Sequence, residues 1–214
     1  MKETQNKPQG PNPKSRTLME KHRSQVLLVY TNKTDSEVWT AFKKGEESAF
    51  NFIYRKYVPG LYNYGYQLCR DQDLVKDCVQ TIFIDLRKKR SKLSDVRSIK
   101  GYLYTIMYRE LFKLIKSKKE DPFEPIEAND RFFPIEVSHE TKMIRSEFTA
   151  ERKRKLDKAL NQLPVRQKQA LLLLYHEGLS YQEIAAIMEI KEVKTARKLV
   201  YRALASMREY FKIS

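Results

Sequence analysis

Leu179–Phe211, LSYQEIAAIMEIKEVKTARKLVYRALASMREYF, reads as a helix, a short turn and a longer helix. Ser180 followed by Glu183 is an S-x-x-E capping box, in which each side chain covers an orphan backbone N–H of the other residue. Gly178 just upstream suits the left-handed residue that ends a preceding helix. In the first helix Ile184, Ala185 and Met188 share one face, with Ile187 beside it. In the second, Ala196, Leu199, Val200, Ala203, Met207 and Phe211 recur at helical spacing. The opposite face carries Lys194, Arg197, Lys198, Tyr201 and Arg202. A short helix packed behind a second one with a basic outer face is the geometry of a helix-turn-helix, whose second helix enters the DNA major groove N-terminus first. The plainer alternative is a helical hairpin with a solvated basic face. Two features favour DNA: the small Ala185 where the helices must cross closely, and the crowding of basic residues near the start of the second helix.

The rest of the chain fits a polyanionic partner. Of 214 residues, 42 are Lys or Arg and 27 are Asp or Glu, a formal net charge of +15. Nucleic acid is the first candidate and an anionic membrane surface the second. The length allows one large domain or two small ones. The 2 cysteines, Cys69 and Cys78, each fall in an apolar-periodic stretch and read as buried thiols. With no C-x-x-C and with His22, His139 and His176 scattered, a metal site is not expected. The lack of a disulfide framework agrees with a reducing cytoplasm. No apolar run approaches the ~20 residues that span a bilayer, so no membrane insertion is expected, and the polar N-terminus has no signal-peptide pattern.

In chain order, residues 1–34 read as a disordered extension with Pro8, Pro11 and Pro13. Its short apolar patch, Val26–Tyr30, is open between a docking segment and a strand-like arm. Asp35 is the expected N-cap of a short helix bearing Val38, Trp39 and Phe42 and ended by Gly45. A longer helix follows, which Pro59-Gly60 is expected to kink or interrupt. Asp71 or Asp73 opens the next helix, with Leu74, Val75, Cys78, Val79, Ile82, Phe83 and Leu86 as its buried stripe. Asp73, Asp77 and Gln80 lie off that stripe. They are either plain solvation or a patch for a protein partner. From about Ser98 a helix is expected to bury Ile99, Leu103, Ile106, Met107, Leu111, Leu114 and Ile115 and to turn Lys100, Tyr104, Arg109, Lys113 and Lys116 away. Basic residues interleaved with rings suit single-stranded nucleic acid, where cations track phosphates and rings stack on bases. A basic helix that only solubilises or touches membrane is the alternative. EDPFEPIEANDRFFPIEVSHE, from Glu120, is acidic, holds three prolines and reads as a linker. Beyond it lie a helix over 148–163 and another from Pro164 carrying Ala170, Leu171, Leu173, Leu174 and Tyr175.

Chemistry that would mark an enzyme is missing from the pattern. The 6 glycines form no phosphate loop, and there is no G-x-S-x-G or H-E-x-x-H. The expectation is a non-enzyme that needs no cofactor.

Three blocks together resemble the bacterial sigma factors of the extracytoplasmic-function (ECF) type. DLVKDCVQTIFIDL (Asp73–Leu86) is similar to the family's D-L-V-Q-E-V-F-L-x-L-W segment. GYLYTIMYRELFKLIKSKK (Gly101–Lys119) is similar to W-L-x-x-I-A-R-N-x-x-x-D-x-x-R, with Tyr102 in place of Trp, Arg109 in place of Asn and Lys113 in place of Asp. ALNQLPVRQKQALLLLYHEGLSYQEIAAIMEI (Ala159–Ile190) matches A-L-x-x-L-P-x-x-x-R-x-x-x-x-L-x-x-x-E-G-x-S-y-x-E-I-A through Leu163-Pro164, Glu177-Gly178 and Glu183-Ile184-Ala185. The usual T-V-K-x-R-L run appears as Thr195–Val200, after a turn, Ile190–Lys194, about a residue longer than usual.

The resemblance implies an all-α chain of two small helical domains joined by a flexible acidic linker, the second ending in the helix-turn-helix. Its divisions are an extension over 1–34, a region-2-like domain over 35–119, the linker over 120–147 and a region-4-like domain over 148–214. It implies core RNA polymerase and promoter DNA as partners and the cytoplasm as the location, and it allows an anti-sigma factor. Asp73, Asp77 and Gln80 would bind the polymerase. Tyr104, Arg109, Lys113 and Lys116 would melt and read the minus-ten element. Lys194, Thr195, Arg197, Lys198, Tyr201 and Arg202 would read the minus-35 element. The competing readings are a helix-turn-helix regulator that acts without polymerase, and a basic helical protein of RNA or membrane surfaces.

Overall fold

A computed structural model describes the backbone of residues 29–118 and 147–213 and the side chains of 29–115 and 154–212. Most of the expected extension (1–34) and nearly all of the expected linker (120–147) lie outside these residues. Among the described residues every regular element is helical. Two compact units emerge from the contacts: residues up to Lys56 with Lys89–Arg97, and Tyr57–Lys88 with Ser98–Ser214.

The first unit is built around helix α1 (Asp35–Lys43). Its N-cap is Thr34, not Asp35: the Thr34 hydroxyl accepts from the Glu37 N–H at 3.3 Å while the Glu37 carboxylate accepts from the Thr34 N–H at 2.8 Å. Threonine wins because a glutamate three residues on can close the box. The Thr34 hydroxyl, donating at 2.7 Å, and then its backbone N–H hold the Glu37 carboxyl below its ordinary pKa. Gly45, at φ +98°, ends the helix in a conformation other residues resist. Trp39 and Phe42 are buried with their rings 5.1 Å apart. The Trp39 indole donates to the Ser94 carbonyl at 2.9 Å. Tyr30, in a helical turn at 29–31, is buried as well, and its hydroxyl donates to Glu46 at 2.8 Å. The apolar patch therefore ends as helix, not strand. Lys43–Asp95 (2.8 Å) and Arg90–Glu47 (2.9 Å) fasten the irregular segment around the short 3₁₀ turn Arg90–Lys92.

Helix α2 (Glu47–Cys69) runs through Pro59-Gly60 without an interruption, one of the two outcomes expected there. Pro59 lies on the exposed side, and buried residues before it (Tyr57) and after it (Leu61, Tyr64) pin both halves. A single missing backbone hydrogen bond is then too small a loss to break the helix.

In the second unit, α3 (Gln72–Lys89) starts on Asp71, whose carboxylate accepts from the Leu74 N–H at 2.9 Å. Its buried residues are the seven that the periodicity picks out. α4 (Ile99–Lys118) starts on Ser98, whose hydroxyl accepts from the Gly101 N–H at 3.0 Å. The two meet α2 at Gly65, where a Cβ would come within 2.3 Å of Met107 and 3.0 Å of Val75. The Cys78 thiol lies against the Met107 sulfur at 3.7 Å in this seam. Each large side chain buried there stabilises the unit by about 1.5–3 kcal/mol.

The C-terminal helices are α5 (Glu147–Asn161), α6 (Val165–Leu171), α7 (Tyr181–Ile187) and α8 (Val193–Ile213). α6 widens into a π-helical stretch, Leu172–His176, before Gly178 stops it at φ +64°. The wide turn rotates Tyr175 outward to 66% exposure, although simple 3.6-residue spacing puts it among the apolar residues. α7 carries the expected capping box, with Ser180 and Glu183 each bonding the other's backbone N–H. It closes in a Schellman turn, the Ile190 N–H reaching the Ala185 carbonyl at 2.8 Å. Ala185 is buried where α7 meets α8, and Ala196, Val200 and Ala203 of α8 are fully buried against the bundle. Phe211, expected on the same stripe, is 46% exposed near the end of α8.

Candidate nucleic-acid interface

The recognition surface follows from the burial of α8. With Ala196, Val200 and Ala203 turned inward, Lys194, Thr195, Arg197, Lys198, Tyr201 and Arg202 are all exposed, and they share the outer face. All six expected minus-35 residues therefore stand on one side of one helix. Arg197 is braced by α7: its guanidinium lies 5.3 Å from the centre of the Tyr181 ring, a cation–π contact that fixes the start of the basic face.

The residues expected at the minus-ten element separate. Arg109 and Lys113 are exposed on α4. Lys116 is on α4, but its side chain lies outside the described residues. Tyr104 does not face away: it is 1% exposed, its ring 5.2 Å from that of Tyr64. Its hydroxyl donates to Glu177. Burial, and then the Glu177 charge, push that hydroxyl's pKa well above the usual phenol. Periodicity places Tyr104 beside the apolar stripe of α4 but does not reveal that a further helix covers it. Tyr102, Tyr108 and Phe112 are the half-buried rings of α4, and the Tyr108 and Phe112 rings lie 4.2 Å apart, tilted by 39°.

What covers α4 is the turn before α7 and α7 itself. Glu177, only 7% exposed, takes the Lys100 ammonium at 3.2 Å as well as the Tyr104 hydroxyl. Lys100 also donates to the Glu177 backbone carbonyl. Gln169, buried on α6, donates to the Tyr64 hydroxyl at 3.0 Å. At the other end Arg109 pairs with Glu189 at 3.2 Å. Between them Gly101 packs on Glu183, where a Cβ would come within 2.8 Å of a carboxylate oxygen. Burial raises the Glu183 pKa, but hydrogen bonds from Ser98 and Ser180 and the nearby Lys100 charge outweigh it, so the carboxyl sits below its ordinary value. Gln169 is the residue here that the sequence reading did not name. Lys100 was expected to turn away with Tyr104, and Glu177 was named only within the Glu177-Gly178 motif, without a partner.

A second surface lies on α3. Asp73, Asp77 and Gln80 are exposed on one side of the helix, as expected, with Asp73 held by Lys76 at 3.2 Å. Ile84, one turn further along the same side, is 53% exposed. It is the apolar member of this face, and the sequence reading passed over it. No group of His, Cys, Asp and Glu among the described residues could hold a metal ion, and no described helix is long and apolar enough to cross a membrane.

Comparison with known proteins finds two matching stretches, one holding α3 and α4 and one holding α7 and most of α8. Residues 53–120 match the family described as sigma-70 region 2, and residues 153–207 match sigma-70 region 4. A curated relative, the RNA polymerase sigma-H factor of Pseudomonas aeruginosa, is 27% identical over 184 residues, 82% of this chain and 92% of its own. The solved structure of CnrH in complex with the cytosolic domain of CnrY superposes with a TM-score of 0.56 at 15% identity, over 84% of this chain and 98% of that one. The sigma factor RpoE of Bartonella quintana, solved with the anti-sigma factor NepR, gives 0.52 at 22% identity, over 75% and 95%. At these identities the two structures bear on the fold alone.

Proposed function

The chain belongs to the sigma-70 family, in its extracytoplasmic-function type, and on that footing we propose how its surfaces divide the work of transcription initiation. The protein is a sigma factor that binds core RNA polymerase and directs promoter-specific initiation. The exposed basic face of α8 carries the minus-35 reading. Lys194, Thr195, Arg197, Lys198, Tyr201 and Arg202 are exposed over a buried seam, with Arg197 resting on the Tyr181 ring. Arg and Lys there divide between base edges, which specify, and phosphates, which position. α4 serves the minus-ten element through Arg109, Lys113 and Lys116, with Tyr104 joining only once it is uncovered. Asp73, Asp77 and Gln80, with Ile84 added, form the polymerase-binding face of α3.

In this reading 35–119 and 148–214 act as regions 2 and 4, joined by the 120–147 linker. The chemistry of RNA synthesis belongs to the polymerase, so this chain works as a non-catalytic cytoplasmic subunit. An anti-sigma factor, such as the one solved with RpoE, is the regulator to look for.

The test is size-exclusion co-elution with bacterial core polymerase, followed by transcription from a promoter library. The expected result is a stable complex that initiates at a defined subset of promoters. Absence of a complex, with tight duplex binding by the protein alone, would replace this reading with that of a stand-alone regulator.

A further inference from the structure

The leading end of α8 carries two residues outside its six-residue basic face. The Schellman turn that closes α7 ties Ile190 to Ala185, and beyond it Lys191, Glu192, Val193, Lys194 and Thr195 are exposed in an unbroken run. α8 begins at Val193, so Glu192 occupies the capping position, its carbonyl accepting from the Thr195 N–H at 3.0 Å. That position ordinarily goes to Ser, Thr, Asp or Asn, whose short side chains bond back to the helix. Other acids at helix ends have work within the fold: Glu37 and Glu183 close capping boxes, and Glu189 pairs with Arg109. The Glu192 carboxylate makes no hydrogen bond or ion pair among the described residues. Val193 beside it is 39% exposed. Both fall in the turn that is about a residue longer than in the sigma factors the chain resembles.

Plainer roles exist for each. A negative charge at a helix N-terminus offsets the macrodipole, and single exposed valines are common. Their place weighs against both roles. This is the end of the helix that enters the major groove first, where a carboxylate is repelled by phosphate unless a donor receives it. Lys191 and Lys194 flank the acid, so the turn still presents positive charge to the backbone of DNA. In the major groove cytosine offers a lone amino donor at N4, which suits an acceptor-only carboxylate, and thymine offers its C5-methyl group to an apolar side chain.

We propose that Glu192 and Val193 read bases. Glu192 accepts from the N4 amino group of a cytosine, and Val193 packs on the methyl group of a thymine at a neighbouring position of the minus-35 element. Base reading here rests on the minus-35 role proposed for α8. It adds a preference that the basic face cannot supply, because Arg and Lys choose guanine and phosphate.

The test is selection from duplex DNA randomised across the minus-35 region, by the full-length protein assembled on core polymerase. The unmodified protein should select a C·G pair with a thymine at a neighbouring position. Glu192→Gln keeps the side-chain length and should move the preference at that pair from cytosine to adenine, which offers an amide both a donor and an acceptor. The change in relative affinity should be about tenfold. Replacing the neighbouring thymine by deoxyuracil removes only the methyl group. It should cost the unmodified protein about threefold in affinity and cost Val193→Ala nothing. The same base preference in Glu192→Gln as in the unmodified protein would overturn the role of Glu192. So would an equal weakening on every sequence, which is what loss of a helix-dipole contact produces. An undiminished deoxyuracil penalty in Val193→Ala would overturn the role of Val193. Selection by the unmodified protein that survives both substitutions sinks this inference and leaves the minus-35 role of α8 standing. No minus-35 selection at all by the unmodified protein removes both.

Discussion

Gly178 and Glu189 both hold left-handed backbone, at φ 64° and 54°, and they do so at different cost. A Cβ at Gly178 would meet nothing within 4 Å. Gly178→Ala should therefore lose only the conformational term, about 1 kcal/mol in chemical denaturation; a loss of about 3 kcal/mol would reveal packing that the geometry does not show. Glu189→Gly relieves a strain of similar size and gives up an exposed ion pair worth about 0–1 kcal/mol, so its net effect on stability should be small. At Cys78, burial pushes the thiol up to about 12, where a free thiol titrates near 9.0. The native protein keeps this proton while the unfolded chain loses it. The stabilisation is thus fully present below about pH 9 and is lost as pH rises through about 12. Near pH 8 an aromatic disulfide reagent should leave Cys78 silent until denaturant is added. Prompt native reaction at Cys78 would contradict this burial.

At the scale of elements, α3 and α8 each use one face for the core and leave the other exposed, and the proposed function gives each exposed face a partner. On α3 the exposed Asp77 and Ile84 can be changed without disturbing the buried stripe. Asp77→Arg and Ile84→Asp should each weaken co-elution with core polymerase by about tenfold, near 1.4 kcal/mol, with helix content unchanged by circular dichroism. On α8, Lys198→Ala and Arg202→Ala should lower promoter affinity of the assembled holoenzyme. A residue that only touches phosphate should reduce the slope of log affinity against log salt by about 1 and weaken all sequences alike. A residue that reads a base should instead relax specificity at one position by about 1–3 kcal/mol. Unaltered binding and slope for both variants would remove the basic face of α8 from the DNA interface.

At the scale of the whole molecule, the proposed function needs the outer faces of both α4 and α8, and only that of α8 is fully open. The basic face of α8 is open, whereas part of α4 is occupied by the acids around α7. Co-elution at low and high salt separates these features. The face of α3 proposed to bind polymerase should assemble in both, because burial of Ile84 is not screened. Any contribution from Asp73 and Asp77 should fall as salt screens their charge. The division between what was readable and what was not follows the range of the forces. The capping box Ser180/Glu183, the seven-residue stripe of α3 and the basic face of α8 were legible in the sequence, because each is set by neighbours within a few residues along one helix. Thr34, rather than Asp35, as a cap was equally local and turned on a glutamate three residues away. Pro59 failed to break α2 because buried side chains on either side outweigh one lost hydrogen bond. Tyr175 left the core because a π turn shifted the register. The burial of Tyr104, the pairing of Glu177 with Lys100 and the exposure of Ile84 were decided only by tertiary structure. Periodicity tells which way a side chain points from its own helix, and only the packing of a distant helix decides whether protein or water meets it there.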